Sequence, residues 1–144
     1  MNTPPLAVPM RPLLIACALA LPFAAGAKER AEFLLGQYAT AEQCEKLRKV
    51  EAGGPRNAGT APELLDADGF KGWEGACEFT KVFEHEPGKT WMALTICSEG
   101  MTMTPTTYVF DKLEGEDSFE VHDARDEDGP GLYKRCDAKK ETGK

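Results

Sequence analysis

The two histidines of the chain, His85 and His122, are the side chains best suited by type to acid–base catalysis or zinc binding. A zinc site needs at least three converging ligands, and nucleophilic catalysis needs a base beside a nucleophile and an orienting acid. Neither histidine has such neighbours in sequence, and Ser98 and Ser118 are the only serines. We therefore interpret both histidines as surface residues and predict no enzyme activity, no metal site and no cofactor.

The acidic segment 123–128 is the densest group of carboxylates in the sequence, and a glycine follows it. Carboxylate oxygens at alternate positions, with glycine to bend the backbone, suit Ca²⁺. The segment lacks the distal glutamate of an EF-hand, because Arg135 takes the twelfth place when the count starts at the second residue of the segment. Asp and Gly are also typical of turns. We expect a solvated turn and keep Asp126 and Asp128 as candidate binding residues.

Trp73 is the third candidate binding residue, because glycines flank it in Gly72-Trp73-Glu74-Gly75. Small neighbours let a ligand or partner approach the indole, and tryptophan is frequent at binding hot spots. The structural alternative is a ring that anchors the core or rim of a small domain. An enzymatic alternative pairs a carboxylate such as Glu74 with His122.

Four cysteines remain when the N-terminal segment that contains Cys17 is set aside: Cys44, Cys77, Cys97 and Cys136. An even number of cysteines in a small exported domain indicates two disulfides. The sequence contains no Cys-x-x-Cys pair, so it supports neither a redox motif nor a zinc knuckle.

Residues 1–27 have the three parts of a secretory signal peptide. Arg11 supplies the positive charge, an apolar run spans residues 13–23, and Ala25-Gly26-Ala27 forms a small-x-small cleavage site. The apolar run is shorter than the ~20 residues that a membrane-spanning helix needs. We therefore expect cleavage near Ala27 and a periplasmic or secreted protein without a membrane span.

Two alternatives concern the same segment. Met10 is a second possible start, because Met10-Arg11 followed by the apolar run reads as a compact signal. Residues 14–17 resemble a lipobox with Cys17 as the lipidated residue, although the apolar core before it would then be shorter than the usual ~7–15 residues. We favour cleavage near Ala27.

The charge of the mature protein limits its partners. Removal of Arg11 with the signal lowers Lys+Arg from 17 to 16 and leaves Asp+Glu at 24, so the net charge becomes −8. Nucleic acid and anionic membrane surfaces are bound by basic faces. The composition therefore argues against both and does not by itself identify a partner. The acidic segment 123–128 could meet a basic periplasmic or host protein.

The pattern of residues predicts one helix followed by short strands. A capping box at Thr40-Ala41-Glu42-Gln43 begins a helix that runs to about Glu51. Strands are predicted over residues 77–83, 90–97, 106–110, 118–122 and 132–136, separated by Gly-, Pro- and Asp-containing turns. Residues 28–138 thus form one mainly β (α+β) domain, a small antiparallel meander packed as a barrel or sandwich, and residues 139–144 a disordered tail.

The first hairpin predicts the disulfide pairing. A turn over residues 85–89 aligns the two strands so that the residue numbers of each opposed pair sum to 174. The predicted partners are Glu84 with Thr90, Phe83 with Trp91, Phe79 with Thr95, and Cys77 with Cys97. Opposed cysteines lie within disulfide range, and by elimination Cys44 bonds to Cys136.

The motifs resemble those of small exported proteins common in alphaproteobacteria. The residues that carry this resemblance are Gly69-Phe70, Gly72-Trp73-Glu74, Cys77-x-Phe79, Cys97-Ser98-x-Gly100 and Tyr133-x-x-Cys136. The resemblance covers most of the mature chain, implies a Gram-negative periplasmic location and implies no activity. The overall format is also similar to that of periplasmic inhibitors of lysozyme and proteases, but the characteristic loop of the lysozyme inhibitors is missing.

These observations favour a periplasmic binding or interaction module, with hydrolase inhibition as one form of that function. The first alternative is a carrier that holds a small apolar ligand inside a β-barrel lined by Trp91, Met92 and Phe83. The second, less favoured, is a carboxylate-dependent hydrolase.

Overall fold

A computed structural model describes residues 28–125 and 129–136. The predicted signal peptide, the candidate binding residues Asp126 and Asp128, and the predicted tail lie outside the described residues. Within the described ranges the elements are β1 Tyr38–Ala39, α1 Ala41–Glu51, β2 Leu64–Asp66, β3 Gly69–Lys71, β4 Gly75–Glu86, β5 Thr90–Glu99, β6 Thr102–Lys112, β7 Ser118–Asp123 and β8 Gly131–Arg135.

The strands form a closed antiparallel barrel in which each strand pairs with its neighbour in sequence. Tyr38 of β1 pairs with Arg135 of β8, and this pairing joins the first strand to the last. Closure removes the unpaired edges that an open sheet would expose. The predicted mainly β fold with one helix and two disulfides is confirmed, and the structure is a barrel rather than a sandwich.

Aromatic and aliphatic side chains fill the barrel interior. Along β5, Trp91, Ala93 and Thr95 are buried and alternate with more exposed residues, as expected for a strand with one face toward a core. The other strands contribute the remaining large buried side chains: Tyr38, Leu65, Phe79, Phe110, Phe119 and Val121. Burial of these apolar side chains is the main source of the stability of the barrel.

The segment 28–37, which precedes β1, closes one end of the barrel. Phe33 stacks on Trp91 with 4.3 Å between ring centroids, and its edge contacts Phe110 and Phe119. Ala31 and Leu34 on the same segment are buried in the core. The sequence did not predict this segment as part of the core, because it contains no regular apolar period.

Both predicted disulfides are present. Cys77 and Cys97 are direct partners on β4 and β5 and are bonded to each other, and Cys44 of α1 is bonded to Cys136 just after β8. The second bond spans 92 residues and fastens the helix to the strand that closes the barrel. The bond between Cys77 and Cys97 lies at the end of the barrel opposite Phe33. Phe33 stacks on Trp91, and Cys97 is six residues, about 20 Å, from Trp91 along β5.

The register of β4 and β5 agrees with the prediction only at the disulfide end. Cys77 pairs with Cys97 and Phe79 with Thr95, but Phe83 pairs with Met92 instead of Trp91. The register shifts once between Phe79 and Lys81 and again between Glu84 and Glu86, as at β-bulges. The predicted interior lining is therefore wrong for two of its three residues. Phe83 and Met92 lie on the outer face, and Val82 packs against the core.

The helix begins where the sequence predicts. The Thr40 side chain accepts a hydrogen bond from the Gln43 amide, and the helix ends at Glu51 before Gly53, whose φ is +88°. None of its residues is fully buried, so it packs on the barrel through a half-buried face. No helix within the described ranges is long and apolar enough to cross a membrane.

Candidate functional site

The end of the barrel opposite Phe33 is open and contains a cleft of about 390 Å³. We call it the mouth cleft. Short strands form one side of it, since β2, β3 and the start of β4 meet there, and the other side is formed by the end of β5 and by Tyr108 of β6 and Tyr133 of β8. Its principal residues are Glu63, Phe70, Trp73, Glu74, Glu99, Tyr108, Tyr133 and the disulfide of Cys77 and Cys97.

Three aromatic side chains form the inner wall of the mouth cleft. The Phe70 ring lies 4.4 Å from that of Tyr108 and 6.0 Å from that of Tyr133, measured between centroids. The Tyr108 hydroxyl is 3.9 Å from the Cys77 sulfur, so the disulfide lies directly beside the aromatic wall. This wall is apolar with two phenolic hydroxyl groups, a composition typical of ligand sites.

The Tyr133 phenol stays protonated at neutral pH. Burial raises the pKa of this group, and the neighbouring Tyr108 and Glu63 raise it further. A protonated phenol can donate as well as accept a hydrogen bond. Tyr133 can therefore offer a ligand both an aromatic face and a hydrogen-bond donor.

Trp73 lies at the tip of the β3–β4 hairpin. The Gly72 amide donates to the Gly75 carbonyl at 2.9 Å, which leaves Trp73 and Glu74 as the two residues of the tip. The indole is 52% exposed although it lines the cleft. Trp73 therefore lies at the rim and not in the core, a position that the structural alternative also allowed.

Carboxylates surround the aromatic wall. Glu63, Glu74 and Glu99 line the mouth cleft, and none of them takes part in an ion pair among the described residues. The cleft also contains Lys71, whose ammonium group is paired with Asp66. The charge available to a ligand is thus negative.

The two histidines that the sequence suggested do not line the mouth cleft. His85 lies at the second register shift of β4 and is exposed. His122 lies on β7 opposite Val109 and is absent from the mouth cleft, whereas Glu74 lines it. The pair proposed for a hydrolase is therefore not assembled in this cleft. In the described ranges no three His, Cys, Asp or Glu side chains converge as metal ligands would.

Of the residues in the mouth cleft, the sequence suggested a binding role only for Trp73 and a catalytic role only for Glu74. Strands β2 and β3 have three residues each, too short to show alternation, and they position Leu64 and Phe70. Glu63, Glu99 and Tyr108 carry no motif of their own. Tyr133 stood in the pattern that resembles exported proteins, but there it suggested no function.

The fold and the cleft define a small, disulfide-bonded antiparallel β-barrel that is plugged at one end and open at the other. No protein-family model matches the chain, and no curated protein or solved structure shows significant similarity to it. The geometry of the mouth cleft is therefore the basis for the function proposed for this chain.

Proposed function

We propose that this chain is an exported periplasmic binding module and that the mouth cleft is its binding site. The observation that carries the proposal is the exposure of Trp73 at the rim of an aromatic cleft on a rigid barrel. An exposed tryptophan beside a concave apolar wall has the features of a binding hot spot, because a partner that covers the ring removes much apolar surface from water.

The location belongs to the same proposal. The two disulfides are consistent with an oxidising compartment, and the N-terminal sequence has the form of a signal peptide. The resemblance to small exported proteins of alphaproteobacteria supports the periplasm. N-terminal sequencing of the protein purified from its native host tests this directly. A mature protein that still begins at Met1 or Met10 would contradict export by cleavage near Ala27.

Hydrolase inhibition is one form of the proposed function. A rigid hairpin tip bearing Trp73 and Glu74 could enter the active-site cleft of an enzyme, with its conformation fixed in advance by the barrel. Inhibition assays against c-type lysozyme and a panel of serine proteases test this form. Loss of inhibition in Trp73→Ala would support it, and a panel without any inhibition would remove it.

A carrier of a small apolar ligand is the second candidate. The volume of the mouth cleft, about 390 Å³, lies within the range of small-molecule sites. The ligand would lie at the mouth and not among Trp91, Met92 and Phe83, because Trp91 is packed in the core and the other two face outward. Native mass spectrometry of the purified protein would detect such a ligand as a defined additional mass that Trp73→Ala loses.

The binding site itself is tested by comparing two variants of exposed aromatic residues. Trp73→Ala removes the ring at the rim, whereas Phe83→Ala removes an exposed ring on the outer face of β4, beside Lys81. Immobilised wild-type protein and Phe83→Ala should retain the same periplasmic proteins, and Trp73→Ala should lose them. Equal retention by all three, or retention by none, would refute the mouth cleft as the site of binding.

A further inference from the structure

We infer that the mouth cleft binds an arginine side chain presented by a basic partner protein, an inference that rests on the function proposed above. The cleft combines aromatic faces with carboxylates that form no ion pair among the described residues, and this combination matches a planar cation better than it matches a neutral or anionic group.

Trp73 presents an accessible aromatic ring at the rim of the cleft. Its ring is half exposed at the hairpin tip, and Tyr133 and Phe70 line the same cleft. A cation within about 6 Å of an indole centroid is attracted to the negative face of the ring, and tryptophan is the strongest partner of this kind. A ligand in the cleft would meet this face without a rearrangement of the core.

Three carboxylates at the rim of the cleft supply negative charge. Glu63, Glu74 and Glu99 line the same cleft, and no ion pair in the described ranges neutralises them. Lys71 does not neutralise these carboxylates, because its ammonium group is paired with Asp66 and lies 3.8 Å from Asp68. A guanidinium ion can bond to a carboxylate with two parallel N–H groups and still stack on an aromatic face. Arginine therefore uses both features at once.

The form of the rim favours a protein loop over a free small molecule. Glu74 and Glu99 also border a second, shallow hollow that continues over Gly100 and Thr102. These two carboxylates therefore border both hollows, and the second hollow offers a path for the polypeptide that flanks the arginine. The mature charge of −8 would speed the encounter with a basic protein through long-range attraction.

Trp73 provides a direct readout of occupancy. The chain has two tryptophans, and Trp91 is buried against Phe33, so a Trp73→Phe variant assigns the two indole N–H signals in an NMR spectrum. The oxidised protein is titrated with a capped Gly-Ser-Arg-Ser-Gly peptide and with the same peptide carrying citrulline, its neutral analogue. The Trp73 signal should shift with the arginine peptide, and the Kd should be at least tenfold lower than for citrulline.

Two triple variants distinguish the effect of the rim carboxylates on peptide affinity from the effect of the overall charge. Glu63→Gln with Glu74→Gln and Glu99→Gln should raise the Kd of the arginine peptide at least tenfold. Glu32→Gln with Glu86→Gln and Glu114→Gln removes the same charge near the plugged end, from exposed residues, and should change the Kd less than twofold. Equal affinity for arginine and citrulline, or equal affinity in both triple variants, would overturn the inference.

These experiments distinguish failure of the arginine inference from failure of the proposed binding function. Retention of periplasmic proteins that depends on Trp73, together with no preference for arginine over citrulline, would leave the mouth cleft as a binding site and reject its cationic ligand. A Trp73 signal that responds to the arginine peptide, with loss of that response in the rim variant alone, supports both.

Discussion

Tyr38 donates a 2.7 Å hydrogen bond to a carboxylate oxygen of Asp117, a residue 79 positions away in the sequence. The phenol is fully buried, and the second oxygen of Asp117 is 3.3 Å from the Arg135 guanidinium. The contact joins β1 to the turn between β6 and β7 at the point where β8 closes the barrel. Tyr38 therefore links three parts of the chain that are distant in sequence.

Replacement of Tyr38 by Phe should lower the free energy of unfolding by about 1–2 kcal/mol, because it removes one hydrogen bond to a charged group and keeps the ring. Asp117 retains its ion pair with Arg135, so the variant leaves no isolated charge in the core. Urea unfolding followed by circular dichroism measures the change. A difference below about 0.3 kcal/mol would show that the bond contributes little to barrel closure.

The same pair predicts a dependence on alkaline pH. Burial, and then the hydrogen bond and charge of Asp117, raise the pKa of Tyr38 to about 12 from an ordinary value of 10.0. A group whose pKa is raised by folding stabilises the native state below its unfolded pKa and loses that contribution as the pH rises to the folded pKa. The stability difference between wild type and Tyr38→Phe should thus be constant below about pH 10. It should narrow between pH 10 and 12, and a constant difference over that window would contradict this assignment.

The two disulfides should differ in their contribution to stability because they close loops of different length. The bond between Cys44 and Cys136 spans 92 residues, and that between Cys77 and Cys97 spans 20. In the chain-entropy model these loops are worth about 5 and about 3 kcal/mol. Replacing both cysteines of a pair by alanine and measuring urea unfolding should give the larger loss for the longer loop. The reverse order would show that native packing around Cys77 outweighs loop entropy.

Phe33 should be required for the closed end of the barrel. Phe33→Ala removes a ring that stacks on Trp91 and touches Phe110 and Phe119, which should cost about 2–3 kcal/mol for a partly buried phenylalanine. In a Trp73→Phe background, Trp91 is the only indole, and its emission should move to longer wavelength as water reaches it. Leu35→Ala is the control, since Leu35 is 73% exposed and its loss should change neither quantity.

The sequence predicted the pairing of Cys77 with Cys97 correctly although the turn of its hairpin was wrong. The turn is shorter than predicted, because Glu86 pairs with Thr90 and the Lys89 amide donates to the Glu86 carbonyl. The two register shifts in β4 then add one residue each and restore the predicted alignment at the cysteines. A bulge has no reliable signature in one sequence, since it depends on the curvature that barrel closure demands.

The candidate site was less predictable than the fold. The helix cap at Thr40 and the longer strands follow local rules, and both were found. The mouth cleft is built from strands of three residues, and its partners, such as Phe70 and Tyr108, meet only when the barrel closes. Local periodicity cannot report a contact that closure creates, so Trp73 was identified as a candidate without the aromatic wall that lines the same cleft.

Gly69 should tolerate no side chain, because its Cα faces the backbone of the paired strand β4. Its φ is +136°, and an added Cβ would lie 1.8 Å from the carbonyl oxygen of Cys77. Gly69→Ala should therefore lower the free energy of unfolding by more than about 2 kcal/mol, through backbone strain and steric overlap together. Gly88→Ala is the matched control, with a φ of +68° and no atom within 4 Å of the added Cβ. It should cost about 1 kcal/mol from strain alone.

Because Gly69 also places Phe70 beside Tyr108, the Trp73 indole signal of any folded Gly69→Ala protein should shift, whereas that of Gly88→Ala should not. Equal stability of the two variants would mean that β3 can move away from β4 without loss, and that the wall of the mouth cleft is not fixed by this contact.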